Sequence, residues 1–429
     1  MNREKIPPSE RIRKEIEGIK AGTEDYDRDV LGELVQKARE LVVQEMLERE
    51  VEDHLGRRYY QRRNGKGERG YRNGYEPRKI RGTEDVLTVA MPQVRESAEP
   101  YRSKLGAFFK GNTDVLEKLA VEMYARGLST RDIEEALTTA SGERLLSRSS
   151  ISRITDQLWE EYELFRQQDL SGFEVVYLVI DAVYEAIRPY IETSEALLVA
   201  YGITTGGRKI LLHMELGNKE GHEFCRGFLR NLVSRGMPVP LAVTSDGAPG
   251  LIKAIEEIFP QTLRIRCWVH KMRNLSVKLP QEIWQRIKPE IAAIRDALDY
   301  EEGKARLEAV VKKYQRQCPS FTSCLQDDAA ALLNILYLPY RHRKTVRNTN
   351  LIERLFVEER RRTKVIPQFL TEKSCLKLVF GVLHRACRHW RRIPMSEQER
   401  EEIGRLRTRL GITPESCRNR ASHKEAVHA

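Results

Sequence analysis

An unbroken apolar run, Val175 to Ile180 (Val-Val-Tyr-Leu-Val-Ile), ends at Asp181. A run that short and continuous reads as a strand buried on both faces of a sheet. Ala196 to Ile203 reads as a second strand, and Gly206-Gly207 make a turn into a third, Ile210 to Leu216. A helix around Glu220 to Val233 follows, then a fourth strand from Pro240 to Thr244 that ends at Ser245-Asp246-Gly247. A helix from Pro249 to Ile258 leads to a fifth strand, Thr262 to Cys267. Three strands joined by hairpins, followed by alternating helix and strand, predict an α/β fold: a mixed sheet covered by helices.

The rest of the chain is mainly helical. At 429 residues it exceeds what one hydrophobic core supports, so two or three domains are expected. From Asp29 to Leu55, the residues Leu31, Leu34, Val35, Ala38, Leu41 and Val42 recur at helical spacing. The simpler expectation is a helix docked on its own domain, and a dimerisation helix is the alternative. Residues 57–81 carry ten Arg and Lys against two Glu, with four Gly and four Tyr. A stretch so basic and Gly-rich reads as a loop that cannot fold alone, suited either to solvent or to nucleic acid through guanidinium–phosphate contacts and Tyr stacking. Asp85 to Val94 then alternates like a strand.

From Thr113 the pattern gives a helix stopped at Gly127, a second helix capped by Ser129 with Asp132 in its first turn, and a third capped by Ser147 or Ser149. Such an arrangement resembles a helix-turn-helix, with Arg148, Ser149, Ser152 and Arg153 facing a groove; generic three-helix packing fits the pattern nearly as well. Between 281 and 338, Ile287, Ile291, Ile294 and Leu298, then Leu307, Val310, Val311 and Tyr314, predict an all-helical segment interrupting the α/β pattern. Residues 341–392 return to basic helix, and the end of the chain reads as a peripheral helix and a frayed tail.

Charge and cysteine usage narrow the function. Lys and Arg exceed Asp and Glu by eleven, which favours a polyanionic partner, nucleic acid first. The N-terminus lacks the apolar core of a signal peptide, and no stretch approaches the roughly 20 apolar residues of a spanning helix. Seven cysteines, none in a Cys-x-x-Cys pair, are the usage of a reducing compartment. A soluble, intracellular protein is expected.

Asp181 and Asp246, each closing an apolar strand, are the informative carboxylates. Asp246 could merely cap the following helix, but Asp181 is followed by more strand-like sequence. Neighbouring carboxylates repel unless cations hold them, and oxygen ligands suit Mg²⁺ or Mn²⁺. A third carboxylate is needed to hold two ions, and Glu353 is the candidate. It lies in a helix whose surroundings, residues 341–364, carry nine basic and three acidic residues. Glu358 and Glu359 read instead as salt-bridge partners. A tyrosine recombinase is excluded: His389 and Arg392 form a His-x-x-Arg, but the last tyrosine is Tyr340 and no nucleophile follows. No phosphate-binding loop of the ATPase type is present.

Four stretches in order carry a family resemblance: Asp181–Arg188 (DAVYEAIR), Ser245–Pro260 (SDGAPGLIKAIEEIFP), Arg266–Asn274 (RCWVHKMRN), and Asn348–Leu355 (NTNLIERL) with Arg360–Lys364 (RRRTK) beyond it. From about Asp29 to Trp390 the sequence resembles the Mutator-type transposases of prokaryotic insertion sequences, of the DDE class. The resemblance implies a ribonuclease-H-like catalytic domain over 171–395 with an all-helical insertion at about 281–340. It places a helical and basic DNA-binding or dimerisation region at 1–112, a helix-turn-helix-like domain at 113–170 and a charged tail at 396–429. It makes Asp181, Asp246 and Glu353 the catalytic, metal-holding residues, with two Mg²⁺ or Mn²⁺ ions, and Cys267 and His270 a family hallmark. Zinc there would need four ligands, and no second pair is placed nearby; Cys267, Trp268 and His270 are expected to order the turn beside the carboxylates. Cys225, Asn348 and Pro367 depart from the usual Trp, Thr and Gly. The implied activity is cleavage and transfer of DNA strands at terminal inverted repeats into target DNA, by a homodimer or higher homo-oligomer in the cytoplasm, associated with the nucleoid. Arg347, Arg354, Arg360, Arg361 and Arg362 are expected to steer phosphates. The alternative is a domesticated or inactive relative that binds DNA as a regulator.

Overall fold

The computed structural model describes residues 6–21, 30–61, 70–83, 85–97, 100–108, 112–139, 142–185, 195–217, 221–363, 369, 371–388 and 390–412. They belong to two compact units, Met1–Asp156 and Gln157–Ala429. Arg188, Lys364, Pro367, His389 and Cys417, singled out in the sequence, lie outside the described residues.

The first unit begins with α1 (Pro8–Ala21) and α2 (Val30–Leu55), followed by the antiparallel strands β1 (Tyr71–Arg81) and β2 (Val86–Arg95). Here the expectation of a loop across residues 57–81 is corrected: its second half is strand β1. The long helix α2 explains how so basic a ribbon is held. Gln44 accepts from the Ala90 N–H at 2.8 Å and donates to the Ala90 carbonyl at 3.1 Å, while Glu40 accepts from Thr88 N–H at 2.8 Å and Gln36 donates to Val86 O at 2.9 Å. Polar side chains one helical turn apart thus satisfy the free edge of β2, as a third strand would. This also corrects the expected docking face. The buried residues of α2 are Glu40, Gln44, Leu47, Val51 and Leu55, whereas Leu31, Val35 and Val42 are exposed.

Beyond α3 (Lys104–Phe108) come α4 (Asp114–Ala125), α5 (Thr130–Ala136) and α6 (Arg148–Thr155). Gly127 takes φ +93° after α4, Ser129 and Asp132 form a capping box on α5, and Ser147 caps α6. Leu116, Ala120, Ile133, Leu146 and Ile151 pack these helices together. The third helix is shorter than its sequence suggests, because it stops at Thr155 and α7 (Gln157–Gln167) belongs to the second unit.

The second unit is built on a five-stranded sheet of order β5-β4-β3-β6-β7. Its strands are β3 (Val175–Glu185), β4 (Glu195–Thr204), β5 (Lys209–Gly217), β6 (Ala242–Ser245) and β7 (Leu263–Arg266). The pairs β3–β4 and β4–β5 are antiparallel; β3–β6 and β6–β7 are parallel. All ten residues of β4 are buried, so both faces of the sheet are covered. Helices α8 (His222–Ser234) and α9 (Pro249–Ile258) form the parallel crossovers.

After β7 the chain is helical: α10 (Trp268–Ser276), α11 (Gln281–Arg295), α12 (Tyr300–Tyr314), α13 (Pro319–Asp327), α14 (Ala329–Leu333), a 3₁₀ turn (Asn334–Tyr337), α15 (Tyr340–Val346), α16 (Asn350–Thr363), α17 (Glu372–Cys387) and α18 (Glu397–Arg409). Ile287, Ile291 and Ile294 are buried as their spacing predicts, but Leu298 lies past the end of α11 and is exposed. Tyr162 and Phe165 of α7 meet the Phe380 ring of α17 at 5.6 and 5.3 Å, closing one edge of this core. Among the described residues, no helix is long and apolar enough to cross a membrane.

Candidate active site

Register brings the two Asp side by side. Strands β3 and β6 run parallel with Val179 opposite Thr244, so continuing the ladder by two residues sets Asp181 beside Asp246. Ser245 pairs with Arg266 across β6–β7, and the Cys267 N–H donates to Ser245 O at 2.8 Å. Asp246 and Cys267 are therefore also neighbours, each one residue past its strand. Neighbouring strands lie about 4.8 Å apart, so three adjacent strands deliver Asp181, Asp246 and Cys267 to one end of the sheet. Asp181 differs from the other two in lying within its strand, which continues to Glu185 against β4.

Two hydrogen bonds then place α16 over this end. Thr244 Oγ1 donates to Val346 O at 2.7 Å, and Trp268 N–H donates to Arg347 O at 2.9 Å. The turn that follows puts Thr349 and Glu353 over the strand ends. Thr349 Oγ1 lies 3.2 Å from Glu353 Oε1 and 3.5 Å from Cys267 Sγ, and it also hydrogen-bonds Asp181. On the other side of Glu353, Arg273 donates to Oε2 at 3.3 Å, and His270 Nδ1 stands 3.9 Å from Oε1.

The charges here are poorly solvated. Asp181 is 4% exposed, and its pKa is pushed up to about 7. Burial is the main cause; His270 opposes it, Asp246 adds to it, and Thr349 opposes it. His270 is raised above its usual value, first by its hydrogen bond to Cys267, against burial, and then by the charges of Cys267, Asp181 and Glu353. Burial pushes the Cys267 thiol up, but hydrogen bonds to His270 and Thr349 outweigh it and leave the thiol lowered. The buried Nδ1 of His270 and hydroxyl of Tyr201 have no hydrogen-bond partner among the described residues.

These residues fit a divalent cation. A desolvated carboxylate next to a second one holds its charge only against a positive ion. Asp181, Asp246 and Glu353 supply the oxygen donors that Mg²⁺ or Mn²⁺ take. Cys267, His270 and Glu353 also offer one ligand atom each within 4.8 Å of one another, a set with one thiolate and one imidazole.

Gly247 has to be glycine for this geometry. Its φ is +93°, and a Cβ there would lie 2.3 Å from the Arg266 guanidinium carbon. Gly247→Ala is expected to cost roughly 1–3 kcal/mol in backbone strain and to displace either Arg266 or Asp246. Thermal melts with and without Mg²⁺ check this; an alanine variant of wild-type stability and wild-type Mg²⁺ response would contradict it.

The side chains expected to contact DNA differ in their surroundings. Arg347 is held by Asp296 at 2.6 Å, and Arg361 and Arg362 pair with Glu358 at 2.5 and 2.8 Å. Arg354 and Arg360 are exposed on the same helix. In the first unit Arg148 binds Glu134 at 3.0 Å, while Ser149 in the first turn of α6 and Arg153 in its last turn are exposed. Asn348 accepts from the Asn350 N–H at 3.0 Å and so starts α16, whereas Cys225 is buried in α8. A cavity of about 430 Å³, walled by Trp268, Met272 and Trp284, opens next to Arg273 and is rimmed by Lys288, Arg295 and Arg347.

Nothing in the sequence alone singles out Thr349 or Tyr201. Thr349 stands four residues before Glu353, one turn away, which is a usable signal once Glu353 is chosen. Tyr201 shares the face of Asp181 because its partner across the ladder is Val179, two residues from Asp181.

The chain belongs to the Mutator family of transposases: residues 13–393 match the family described as "Transposase, Mutator family". It is 33% identical over 355 residues to the "Transposase for insertion sequence element ISRM5" of Rhizobium meliloti (strain 1021), covering 81% of this chain and 86% of that protein. It is 32% identical to the transposase for insertion sequence element IS6120 of Mycolicibacterium smegmatis, over 63% of this chain and 84% of that protein. Against the transposase for element IS406 of Burkholderia multivorans the figures are 31%, 82% and 90%.

Proposed function

We propose that this chain is an insertion-sequence transposase that binds the terminal inverted repeats of its element and catalyses metal-dependent cleavage and transfer of DNA strands. The observation that supports the reading is Asp181 and Asp246 on adjacent parallel strands at one end of the sheet, with Glu353 carried over that end on α16 and held by Thr349 and Arg273. On this reading residues 171–395 form a ribonuclease-H-like domain with an all-helical insertion at about 281–340; the strand order β5-β4-β3-β6-β7 supports it. The earlier helices would serve as the DNA-binding regions, 1–112 and 113–170, and 396–429 as a peripheral tail.

Asp181, Asp246 and Glu353 would hold two Mg²⁺ or Mn²⁺ ions, which when bound supply an activated water or 3′-hydroxyl and stabilise the leaving 3′-oxygen. The residues around them set the stage for that chemistry. Thr349 fixes the Glu353 carboxylate toward Asp181, and the Arg273 guanidinium on the opposite carboxylate oxygen presents positive charge to an incoming phosphate. Lys288 at the cavity rim is exposed and extends the cationic path. Arg347, Arg361 and Arg362 contribute only by exchanging a carboxylate partner for phosphate. Joining two ends calls for a homodimer or higher homo-oligomer on DNA.

The test incubates purified protein with labelled terminal-repeat DNA and Mg²⁺, alongside Asp181→Ala, Asp246→Ala and Glu353→Ala. Each substitution is expected to abolish cleavage and leave DNA binding; cleavage that survives all three would sink the assignment. Wild-type binding without any cleavage would favour the regulator. Binding is also expected to weaken roughly 10³-fold or more between 50 and 200 mM salt if several phosphates are contacted. Lys288→Glu should weaken it further and flatten the salt dependence.

A further inference from the structure

We infer that α2 pairs antiparallel with the α2 of a second copy of this chain. The inference rests on the reading that the protein works as a multimer, and it names the surface. One side of α2 satisfies the edge of β2, as described above. A second side holds α1, through Ser9 on Glu48 at 2.6 Å and Lys37 on Glu15 at 2.8 Å. The third side is apolar and faces solvent: Leu31 is 73% exposed, Val35 42%, Val42 57% and Met46 49%, with exposed Ala38 among them. Successive steps of four, three, four and four residues keep these five positions on one stripe, the spacing of a two-helix seam.

The stripe reads the same in both directions. About a point between Ala38 and Arg39, Leu31 lies as far before as Met46 lies after, and Val35 as far before as Val42 after. A two-fold axis through that point sets Leu31 against Met46 of the second copy and Val35 against its Val42. That is the self-complementarity an isologous interface needs. Ala38 at the axis lets the backbones approach closely. Arg39, also near the axis, has its charge answered within its own chain by Asp85 at 2.9 Å. A parallel pair would instead bring Arg49, the next residue along the stripe, against its own copy. The antiparallel seam ends before Arg49, and it opposes the two helix dipoles.

Five apolar side chains per helix bury less than the roughly 1,200 Å² of a standard specific interface. Association is therefore weak in free protein and is completed when two copies share one DNA, which raises their effective concentration.

The experiment uses full-length protein with terminal-repeat DNA, read by light scattering and by mild oxidation of single-cysteine variants. All seven native cysteines lie at residue 225 or later, so the wild type controls for them. Ala38→Cys is expected to form a covalent dimer. Leu31→Cys is not, because its copies are roughly 22 Å apart at about 1.5 Å per residue. Val35→Glu with Val42→Glu should lower the dimer population at least tenfold, and an unchanged circular dichroism spectrum shows the helix still folded. Cross-linking through Leu31→Cys would overturn the antiparallel arrangement. A DNA-bound dimer that neither Ala38→Cys links nor the Glu pair weakens would overturn the surface while leaving the multimer. A monomer in every condition would instead remove the multimer reading itself.

Discussion

Replacing Asp181 by Asn is expected to make the metal-free protein more stable at pH 8 while abolishing strand cleavage. The sign follows from burial. The Asp181 carboxyl titrates near 7 in the folded chain, against 3.8 for an ordinary Asp, because a group 4% exposed loses its hydration and stands beside Asp246. Below about pH 4 the proton is bound in both states, and the group contributes nothing to the pH dependence. Between about 4 and 7 the unfolded chain has released the proton and the folded chain keeps it, so stability falls as pH rises, and the loss is complete above 7. A net shift of about three pH units at 1.36 kcal/mol each, the opposing charge of His270 included, sets a ceiling of about 4 kcal/mol. The asparagine side chain carries no charge, keeps an oxygen for Thr349, and removes the slope. Melting curves from pH 4 to 8 in chelator check this: the wild type should lose stability over that range more than Asp181→Asn does. Adding Mg²⁺ should reverse the order, since ligand that binds only the folded state stabilises it and the variant lacks a ligand. A variant less stable than wild type at pH 8 without metal would mean that the carboxylate is held by a stabilising partner.

That strain explains why the carboxylates were legible in the sequence while their supports were not. Apolar strand residues leave an acidic end no local purpose, so Asp181 and Asp246 stand out, and the strands themselves follow from the same apolar runs. Thr349 and Tyr201 are ordinary residues for a turn and a strand; only the close approach of α16 and the register of β4 make them part of the site. The basic stretch before Asp85 shows the opposite failure. Its composition reads as loop because the partners that hold it as β1 are Gln36, Glu40 and Gln44 of a distant helix, acting through β2. Those polar contacts also reverse the apparent face of α2. Apolar spacing marks a stripe but does not say whether the same chain or a second copy covers it.

The second large effect is expected at Asp328, a residue with no role in the chemistry. Its carboxylate accepts from Lys271 Nζ at 2.7 Å and from Arg266 Nε at 3.2 Å, and Lys271 also donates to the Cys324 carbonyl. The Lys271 side chain is 2% exposed and that of Arg266 6%, so both cations depend on this one acid. Burial pushes the Asp328 carboxyl up, but the two cations outweigh it and hold it below the usual range. Asp328→Ala strands two buried charges at once and is expected to cost about 3–5 kcal/mol, lowering the melting temperature by on the order of 10 °C. Lys271→Met should cost much less, because Arg266 still answers Asp328. The pair Asp328→Ala with Lys271→Met should recover part of the loss, since only Arg266 then remains unpaired. Arg266 packs on Gly247 and Lys271 lies two residues before Arg273, so the same substitution loosens the turn that carries Asp246 and the helix that meets Glu353. Cleavage by Asp328→Ala should therefore fall even well below its melting temperature, with a weaker Mg²⁺ response in the melts. If Asp328→Ala melts within a degree or two of wild type, the buried cations have found water or another acid, and the helical segment is not the brace that this network makes it.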